Sequence, residues 1–234
     1  PGRSGIGGSS SYTVGTLNAL HTYKMDNFSR QTLAEEACRI EIDILREPIG
    51  KQDQYVAAFG GINCYEIEKD GTVRVQPLQL SSHSIAELES NLFLFYTGIK
   101  RNASQMLRCQ KRDEEKGVKH VIDSMHKIKE IGYEVRDALK RGDLHRLGEL
   151  LDLHWQTKKY LSNNVSNERI DQIYEVAKRN GAVGGKIIGA GGGGFFVFYS
   201  ENKKDRIRSA MSREGLKEVR FRFDFEGSKI TLNL

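Results

Sequence analysis

The sequence contains few cysteines and no apolar segment of membrane-spanning length. Its three cysteines, Cys38, Cys64 and Cys109, lie far apart, and none belongs to a C-x-x-C pair. This spacing argues against a zinc site and is typical of reduced thiols in a cytoplasmic protein. No apolar run reaches the roughly 20 residues that a membrane helix needs, and no secretory signal is present. We therefore expect a cytoplasmic protein without a membrane partner.

A concentrated basic surface is also missing from the sequence. The net charge is +5 at pH 7 and the isoelectric point is about 9.0. Lysines and arginines are nevertheless spread along the chain, with only short pairs such as Lys158-Lys159. Proteins that bind nucleic acid usually carry a basic stripe or a recognisable module. The distribution fits an anionic small molecule at least as well, and we expect no nucleic-acid partner.

Glycine, by contrast, is plentiful, with 24 residues in 234. The first glycine-rich segment contains Gly5, Gly7 and Gly8 and runs into Ser9 and Ser10. Glycine allows the backbone to turn sharply and to approach a ligand closely. Serines cap helices, and the N-terminus of a helix presents N–H groups to an anion. The segment therefore predicts a phosphate-binding loop, but not a P-loop ATPase, because the sequence has no G-x-x-x-x-G-K-[ST] motif.

The second glycine-rich segment is Gly189–Gly194, with five glycines in six residues. It matches G-x-G-x-x-G, but the dinucleotide fingerprint follows a strand and opens a helix. Here the segment precedes the apolar strand Phe195–Tyr199, so a Rossmann fold is not expected. Because glycines cost conformational entropy on folding, we expect this loop to approach a bound phosphate or a partner loop closely.

The spacing of apolar residues predicts helices and strands in alternating groups. A long helical region from Ala103 to Ser162 has one break, at Gly142-Asp143, and Leu92–Tyr96 is expected to be buried on both faces. Such an order indicates class α+β with an antiparallel sheet. The other predicted helices begin near Ser10, Ser29, Ser166 and Lys203; the other predicted strands are Ile62–Glu68, Val73–Pro77, Phe195–Tyr199 and a closing hairpin over Val219, Phe221, Phe223 and Phe225, then Ile230, Leu232 and Leu234.

Two carboxylates, Glu41 and Asp53, form a candidate catalytic pair. Glu41 lies near the end of the second predicted helix, and Asp53 follows a break at Pro48 and Gly50 that could bend the chain back. One carboxylate would ligate Mg²⁺, and the other would accept the proton of an attacking hydroxyl. On spacing alone, two solvated carboxylates are the favoured alternative.

Three segments in order resemble the second signature, the catalytic-aspartate segment and the third signature of the GHMP kinases. Within this family the sequence is most similar to the D-glycero-D-manno-heptose 7-phosphate kinase branch. The three segments are Pro1–Ser11, Gly50–Gly61 and Lys186–Gly194; the matches to the branch are Gly7–Ser10, Gln52–Tyr55, Ala58–Gly61, Trp155 with Lys158-Lys159, and Val165–Glu168.

The resemblance implies the GHMP kinase fold, an α+β fold with two domains. These are a ribosomal-S5-like N-terminal domain, incomplete here, and a C-terminal α/β-plait domain with an antiparallel sheet. We expect the remainder of the nucleotide-binding domain at 1–80 and the C-terminal kinase domain at 81–234. The chain opens on Pro1 without the family's first signature, so we also expect that signature to precede it in a longer chain.

The resemblance also implies a mechanism, in which MgATP phosphorylates the anomeric hydroxyl of D-glycero-D-manno-heptose 7-phosphate to give the 1,7-bisphosphate. Ser9 and Glu41 would contact Mg²⁺, and Asp53 would be the base that accepts the hydroxyl proton. Phosphoryl transfer mainly requires positioning and charge neutralisation. The residues implied to bind the ATP phosphates are Gly5, Ile6, Gly7, Gly8, Ser9 and Ser10.

The substrate's own phosphate would need cations. Lys158 continues a helical stripe of leucines, so we expect it to point inward, although a solvated surface cation is the alternative. His154 on the same stripe and its neighbour Trp155 are expected to be core residues. The candidate substrate-binding residues are Arg101, which follows Lys100, together with Lys158, Lys159, Gly191 and Gly192.

Two other functions fit the sequence. One is a different sugar 1-kinase of this family, acting on fucose, galactose or a related sugar; the other is an inactive sugar-binding regulator. The presence of both Asp53 and Glu41 argues against the regulator. The assembly state is open, with a homodimer as one alternative.

Overall fold

The computed structural model describes residues 5–99, 103–162 and 164–231, and for residues 103–105 the backbone only. The chain divides into two compact units. The N-terminal unit comprises Gly7–Leu78 together with the residues from Phe223 onward, and the C-terminal unit comprises Gln79–Arg222 together with the residues up to Ile6. The division into domains at 1–80 and 81–234 stays a prediction. In the described part of the chain, no helix is both long enough and apolar enough to cross a membrane.

The N-terminal unit packs three helices against a two-stranded hairpin. The predicted helix start at Ser29 is confirmed, because the Ser29 hydroxyl accepts a hydrogen bond from the Thr32 N–H at 3.0 Å. The hairpin is also confirmed, with Tyr65 opposite Val75 in an antiparallel register. The elements are α1 (Gly8–Tyr23), α2 (Arg30–Cys38), which continues as a π-helical segment (Arg39–Ile44), α3 (Gln52–Phe59), β1 (Asn63–Ile67) and β2 (Val73–Pro77).

Helix α3 is the element of this unit that the sequence patterns did not predict. It lies directly after the Pro48–Gly50 break, and its buried residues Gln54, Tyr55 and Ala58 pack toward α1 and α2. Because α3 begins at Gln52, residues 53 and 54 lie in its first turn, in a fixed orientation. The core of the unit consists of Val14, Leu33, Ala34, Ala37, Cys38, Tyr55, Ala58 and Val73.

The C-terminal unit covers a four-stranded antiparallel sheet with helices, which confirms class α+β. The strand order is β4-β5-β3-β6. The long helical region breaks at residues 116–118 as well as at Gly142-Asp143, and α4 and β4 were not predicted. The elements are α4 (Ser82–Asn91), β3 (Leu92–Tyr96), α5 (Ala103–Glu115), α6 (Lys119–Arg141), α7 (Leu144–Lys158), α8 (Glu168–Arg179), β4 (Gly184–Ile187), β5 (Phe195–Tyr199), α9 (Lys204–Arg213) and β6 (Lys217–Val219).

Aromatic side chains of β3 and β5 form the centre of this unit. Phe93 and Phe95 are buried, whereas the residues on the other face of β3 are partly exposed, so the prediction that β3 is buried on both faces is wrong for that face. Phe196 and Phe198 of β5 stack at 4.8 Å between ring centroids, and Trp155 of α7 packs edge-on to Phe196. The buried Trp155 confirms its predicted place in the core.

The predicted closing hairpin does not form in the described residues. Strand β6 ends at Val219, and residues 220–231 contain no strand. Instead, the Asp224 side chain accepts hydrogen bonds from the N–H groups of Glu226 and Gly227 at 2.8 and 3.0 Å, while its carbonyl accepts one from Gly61 at 2.6 Å. This turn interrupts the alternating phenylalanines, and it leaves Phe225 half exposed. Leu232 and Leu234 lie outside the described residues.

The contact between α7 and β4 predicts a pair of opposite stability effects. A Cβ atom on Gly184 would lie 2.0 Å from the Gly148 carbonyl oxygen, whereas a Cβ on Gly132 in α6 would meet open space. Gly184→Ala should therefore lower the free energy of unfolding by about 3 kcal/mol. Gly132→Ala should raise it by about 0.5–1 kcal/mol, because alanine is the better helix former. Urea titrations followed by circular dichroism measure both; equal effects of the two variants would contradict the packing described.

Candidate functional site

The carboxylate of Glu41 is the centre of a polar cluster inside the N-terminal unit. The side chain is 1% exposed and accepts three hydrogen bonds from the described residues. Ser9 Oγ donates to Oε1, Ser10 Oγ donates to Oε2 at 2.7 Å, and Gln54 Nε2 donates to the same Oε2 at 2.6 Å. Buried carboxylates need such donors, because an unsatisfied charge inside a protein is costly. The structure thus brings together the predicted residues Ser9, Ser10 and Glu41.

A π-helical segment supplies Glu41. Its wide turn is marked by the hydrogen bond from the Leu45 N–H to the Ile40 carbonyl, five residues earlier, at 2.9 Å. Within this segment Glu41 is buried, whereas Asp43 is exposed. Single π-helical turns inside α-helices often occur at functional sites. The local widening therefore orients one carboxylate of this acidic stretch inward.

Asp53 occupies the second position of α3 and lies against the backbone of Gly7. A Cβ atom on Gly7 would be 3.3 Å from Asp53 Cγ, and Gly7 has a left-handed φ of 69°. The residue keeps solvent access, but its surroundings are partly desolvated. Burial raises the pKa of the Asp53 carboxyl above its ordinary value, and the negative charge of Glu41 raises it further. Asp53 is thus a carboxylate with an increased tendency to accept a proton.

The N-terminus of α1 differs from the serine-capped start that the sequence suggested. Gly7 is the N-cap residue, and no side chain caps the helix. Ser9 and Ser10 donate to Glu41 instead of capping. The first turn of this 16-residue helix contains no acidic side chain, so its N–H groups and dipole favour an anion. Gly5 has a φ of 81° and Ile6 is half exposed.

The residues around Glu41 fit a magnesium ion that is shared with a phosphate ligand. Mg²⁺ prefers oxygen ligands and is usually held by one or two carboxylates together with substrate phosphates. Glu41 and the Ser9 hydroxyl offer oxygen atoms of this kind, and the buried Oε1 of Gln54 has no hydrogen-bond partner among the described residues. The described part of the chain contains no group of three or more acidic, cysteine or histidine side chains arranged for a metal. The donor set therefore suits Mg²⁺ brought by a nucleotide rather than a fully enclosed metal site.

Gln54 is the site residue that the sequence did not indicate. It is fully buried and links α3 to the π-helical segment through Glu41. Its neighbour Asp53 was singled out, but without the α3 helix nothing showed which side of the chain Gln54 would occupy. Gln54, Tyr55 and Ala58 follow the spacing of one face of a helix, and this spacing is the signal that could have predicted that Gln54 is buried.

The glycine run 189–194 of the C-terminal unit packs against this unit's own backbone. A Cβ on Gly191 would lie 2.9 Å from the Val165 carbonyl oxygen, and one on Gly193 would lie 2.6 Å from the Ile99 carbonyl oxygen. Gly192 has a φ of 72°, and its N–H donates to the Val165 carbonyl at 2.7 Å. The expected close approach is therefore made to chain segments of this unit at residues 99 and 165.

The candidate cations of the C-terminal unit lie at the end of α7. The Lys158 ammonium donates to the Gly189 carbonyl, which brings it to the start of the glycine run. Lys159 forms an ion pair with Asp171 at 3.7 Å, and Arg101 and Lys100 lie outside the described residues. His154 is hydrogen-bonded to Lys186, with 3.1 Å between Nε2 and Nζ, and the residue is only partly buried.

Comparison with known proteins matches both ends of the chain to one family. The model described as the GHMP kinases N terminal domain matches residues 1–61, and the model described as GHMP kinases C terminal matches residues 135–217. The D-glycero-alpha-D-manno-heptose 7-phosphate kinase of Campylobacter jejuni is 36% identical over 98% of this chain and 67% of its own length. A galactokinase of Pyrococcus furiosus is 28% identical over 91% of this chain and 65% of its own.

A solved structure agrees with these sequence matches. The crystal structure of a D-glycero-D-manno-heptose 1-phosphate kinase from Bacteroides thetaiotaomicron superposes with a TM-score of 0.76 at 29% identity. The alignment covers 97% of this chain and 63% of that one, so the chain spans about two thirds of the length of its relatives. Both family models, the identity to the Campylobacter jejuni protein and this structural agreement lead to one conclusion: the chain belongs to the GHMP kinase family.

Proposed function

We propose that the protein is an ATP-dependent sugar kinase that phosphorylates the anomeric hydroxyl of D-glycero-D-manno-heptose 7-phosphate and yields the 1,7-bisphosphate. The observation that carries this proposal is the buried Glu41 carboxylate with its hydroxyl and amide donors, beside an Asp53 whose pKa is raised. The choice of sugar is supported by the name of the relative that is 36% identical.

In this mechanism, the chain supplies positioning and a base. Asp53 accepts the proton of the sugar hydroxyl as that oxygen takes the terminal phosphoryl group of ATP. A general base works best when its pKa approaches the operating pH, and the raised pKa of Asp53 moves it in that direction. Gly5, Ile6, Gly7, Gly8, Ser9 and Ser10 bind the ATP phosphates, chiefly through backbone N–H groups. Ser9 and Glu41 would hold Mg²⁺, which would supply charge neutralisation for the phosphates.

The residues proposed to bind the sugar phosphate are Arg101, Lys158, Lys159, Gly191 and Gly192. Lys158 is supported most directly, because it lies at the start of the glycine run. Support for Lys159 is weaker, since its ammonium is already paired with Asp171. For the two glycines, the close packing against residues 164 and 165 supports a role in shaping the loop.

A kinase that acts on an unphosphorylated sugar is the second candidate function. It is supported by the match to a galactokinase, which is 28% identical over 91% of this chain. The names of the two heptose relatives also differ in the position of the substrate phosphate, at carbon 7 in one and carbon 1 in the other. The substrate therefore has to be identified by direct comparison.

We expect turnover of D-glycero-D-manno-heptose 7-phosphate by the full-length protein with MgATP, and none of galactose or fucose. A coupled assay of ADP release across heptose 7-phosphate, heptose 1-phosphate, galactose and fucose measures this preference. Mass spectrometry of the product locates the new phosphate. Turnover of the free sugars alone would favour the second candidate function, and turnover of the 1-phosphate alone would contradict anomeric phosphorylation.

Asp53→Asn should lower kcat by about 10²–10⁴-fold, because the amide cannot accept the hydroxyl proton. The KM for ATP should change little, since the amide keeps the shape of the side chain. Asp43→Asn is the matched control, as Asp43 is an exposed carboxylate of the same unit. Steady-state kinetics of both variants test the role, and an Asp53→Asn enzyme with unchanged kcat would exclude Asp53 as the base.

Ser9→Ala should raise the Mg²⁺ concentration for half-maximal activity by about tenfold. This is the lower end of the loss in metal affinity that follows when a group supporting a metal site is removed. Ser10 and Gln54 would still hold the Glu41 carboxylate in place. Ser11→Ala, at the exposed neighbouring position, should leave the Mg²⁺ dependence unchanged. If the two variants show the same Mg²⁺ dependence, Ser9 is not a metal contact.

A further inference from the structure

Lys186 is a partly buried cation of the C-terminal unit that the mechanism above does not use. It lies in β4, in the sheet that forms the centre of this unit. Within the described part of the chain its ammonium makes one hydrogen bond, to His154 Nε2 at 3.1 Å. Among the described residues no carboxylate pairs with it, although most buried lysines are paired. The described neighbours of the lysine therefore accept a hydrogen bond from its ammonium but do not neutralise its positive charge.

His154 is suited to hold an ammonium without cancelling its charge. Because the Lys186 ammonium has only N–H donors, Nε2 of His154 must be the acceptor and the ring proton must lie on Nδ1. Burial, together with the positive charges of Lys186 and Lys158, lowers the pKa of His154 to about 3. The ring is thus neutral at physiological pH. A carboxylate at this position would have formed a salt bridge, whereas the imidazole leaves the ammonium charge available.

The arrangement is costly unless a ligand completes it. Burial lowers the pKa of Lys186 to about 8, which reflects the free energy of keeping an ammonium away from water. Nδ1 of His154 is buried and has no hydrogen-bond partner in the described part of the chain. Two polar groups in one contact are therefore incompletely satisfied among the described residues, and such groups in native proteins call for an explanation, of which a bound ion or ligand is one.

The surroundings of this pair are positively charged and adjoin the glycine run. Lys158 lies one helical turn after His154 on α7, and its ammonium reaches the Gly189 carbonyl. Lys186 precedes the same loop on β4. Part of the Lys186 side chain remains accessible to solvent, so a ligand can reach it. The nearest carboxylate on α7, Asp152, is engaged by Tyr174 and lies 3.4 Å from Lys178.

We propose that Lys186, positioned by His154, is the principal cation for the phosphate that the sugar substrate already carries. The ligand class is a phosphate monoester dianion, and this inference rests on the proposed function for the identity of its carrier. His154 acts as a positioning residue through its Nε2 acceptor. Lys158 adds positive charge to the same subsite.

Lys186→Met tests the proposal with two opposite effects. The KM for heptose 7-phosphate should rise about tenfold or more, the value of one charge-assisted hydrogen bond, while the KM for ATP stays unchanged. The melting temperature should rise, because methionine fills the same space without a buried unpaired charge. Lys178→Met is the matched control, since Lys178 is bonded to the Val183 carbonyl and paired with Asp152. It should lower the melting temperature and leave both KM values unchanged.

His154 is tested by comparing two replacements. His154→Gln keeps an oxygen acceptor for the Lys186 ammonium and should stay close to the parent KM for the sugar phosphate. His154→Leu removes the acceptor and should raise that KM. If both replacements raise it equally, His154 does not act through this hydrogen bond.

The binding of inorganic phosphate, measured by the melting temperature, is a test that does not depend on turnover. It should raise the melting temperature of the parent protein but not that of Lys186→Met, because a ligand stabilises only a state that binds it. An equal rise in both proteins overturns the proposal, as does a Lys186→Met effect on the KM for ATP alone. If the parent protein binds phosphate through Lys186 but does not turn over heptose 7-phosphate, the proposed function fails while the anion subsite stands.

Discussion

The buried carboxylate of Glu41 is the constraint on which the N-terminal unit's site depends. A carboxylate that is 1% exposed is tolerated only if donors replace the water that it has lost. Those donors come from three places in the sequence: Ser9 and Ser10 at the start of α1, and Gln54 in α3. Leaving one of these partners unsatisfied costs about 1–3 kcal/mol. The hydrogen bonds that satisfy the buried carboxylate therefore also connect α1 to α3 through Glu41.

Glycine plays two distinct roles in the chain. At Gly7 the absence of a Cβ leaves room for the Asp53 carboxyl group, whose Cγ would lie 3.3 Å from a Cβ at this position. Gly7 is also the N-cap of α1, where it provides no side-chain cap. In the run 189–194 the missing Cβ atoms admit the chain's own carbonyl groups at residues 99, 164 and 165. A glycine-rich segment thus does not by itself identify a phosphate loop. What distinguishes Gly7 is the carboxylate and the open helix end beside it.

Local patterns predicted most of the elements, and contacts between distant segments account for what was missed. Apolar spacing and the Ser29 cap were enough for α1 and α2, and alternation was enough for β1 and β2. The α3 helix was missed because eight residues carry too short a pattern. The closing hairpin was predicted from alternating phenylalanines, but the Asp224 turn binds Gly61 instead. Glu41 and Asp53 were chosen by resemblance to a family; their spacing alone gave no sign that one would be buried and the other accessible.

The two units treat their buried charges in opposite ways, and the difference has a physical reason. Glu41 receives donors from three side chains, so its charge is stabilised within the fold and its remaining lone pairs can take a cation. Among the described residues, Lys186 has a single neutral acceptor, so these residues hold its charge in position without compensating it. A chain that needed only stability would pair or remove such a lysine, since replacing a buried charge by an apolar side chain is often neutral or stabilising. Retaining an uncompensated cation is favourable only when an anion of comparable charge occupies the site during function, because binding then recovers the free energy that burial has cost.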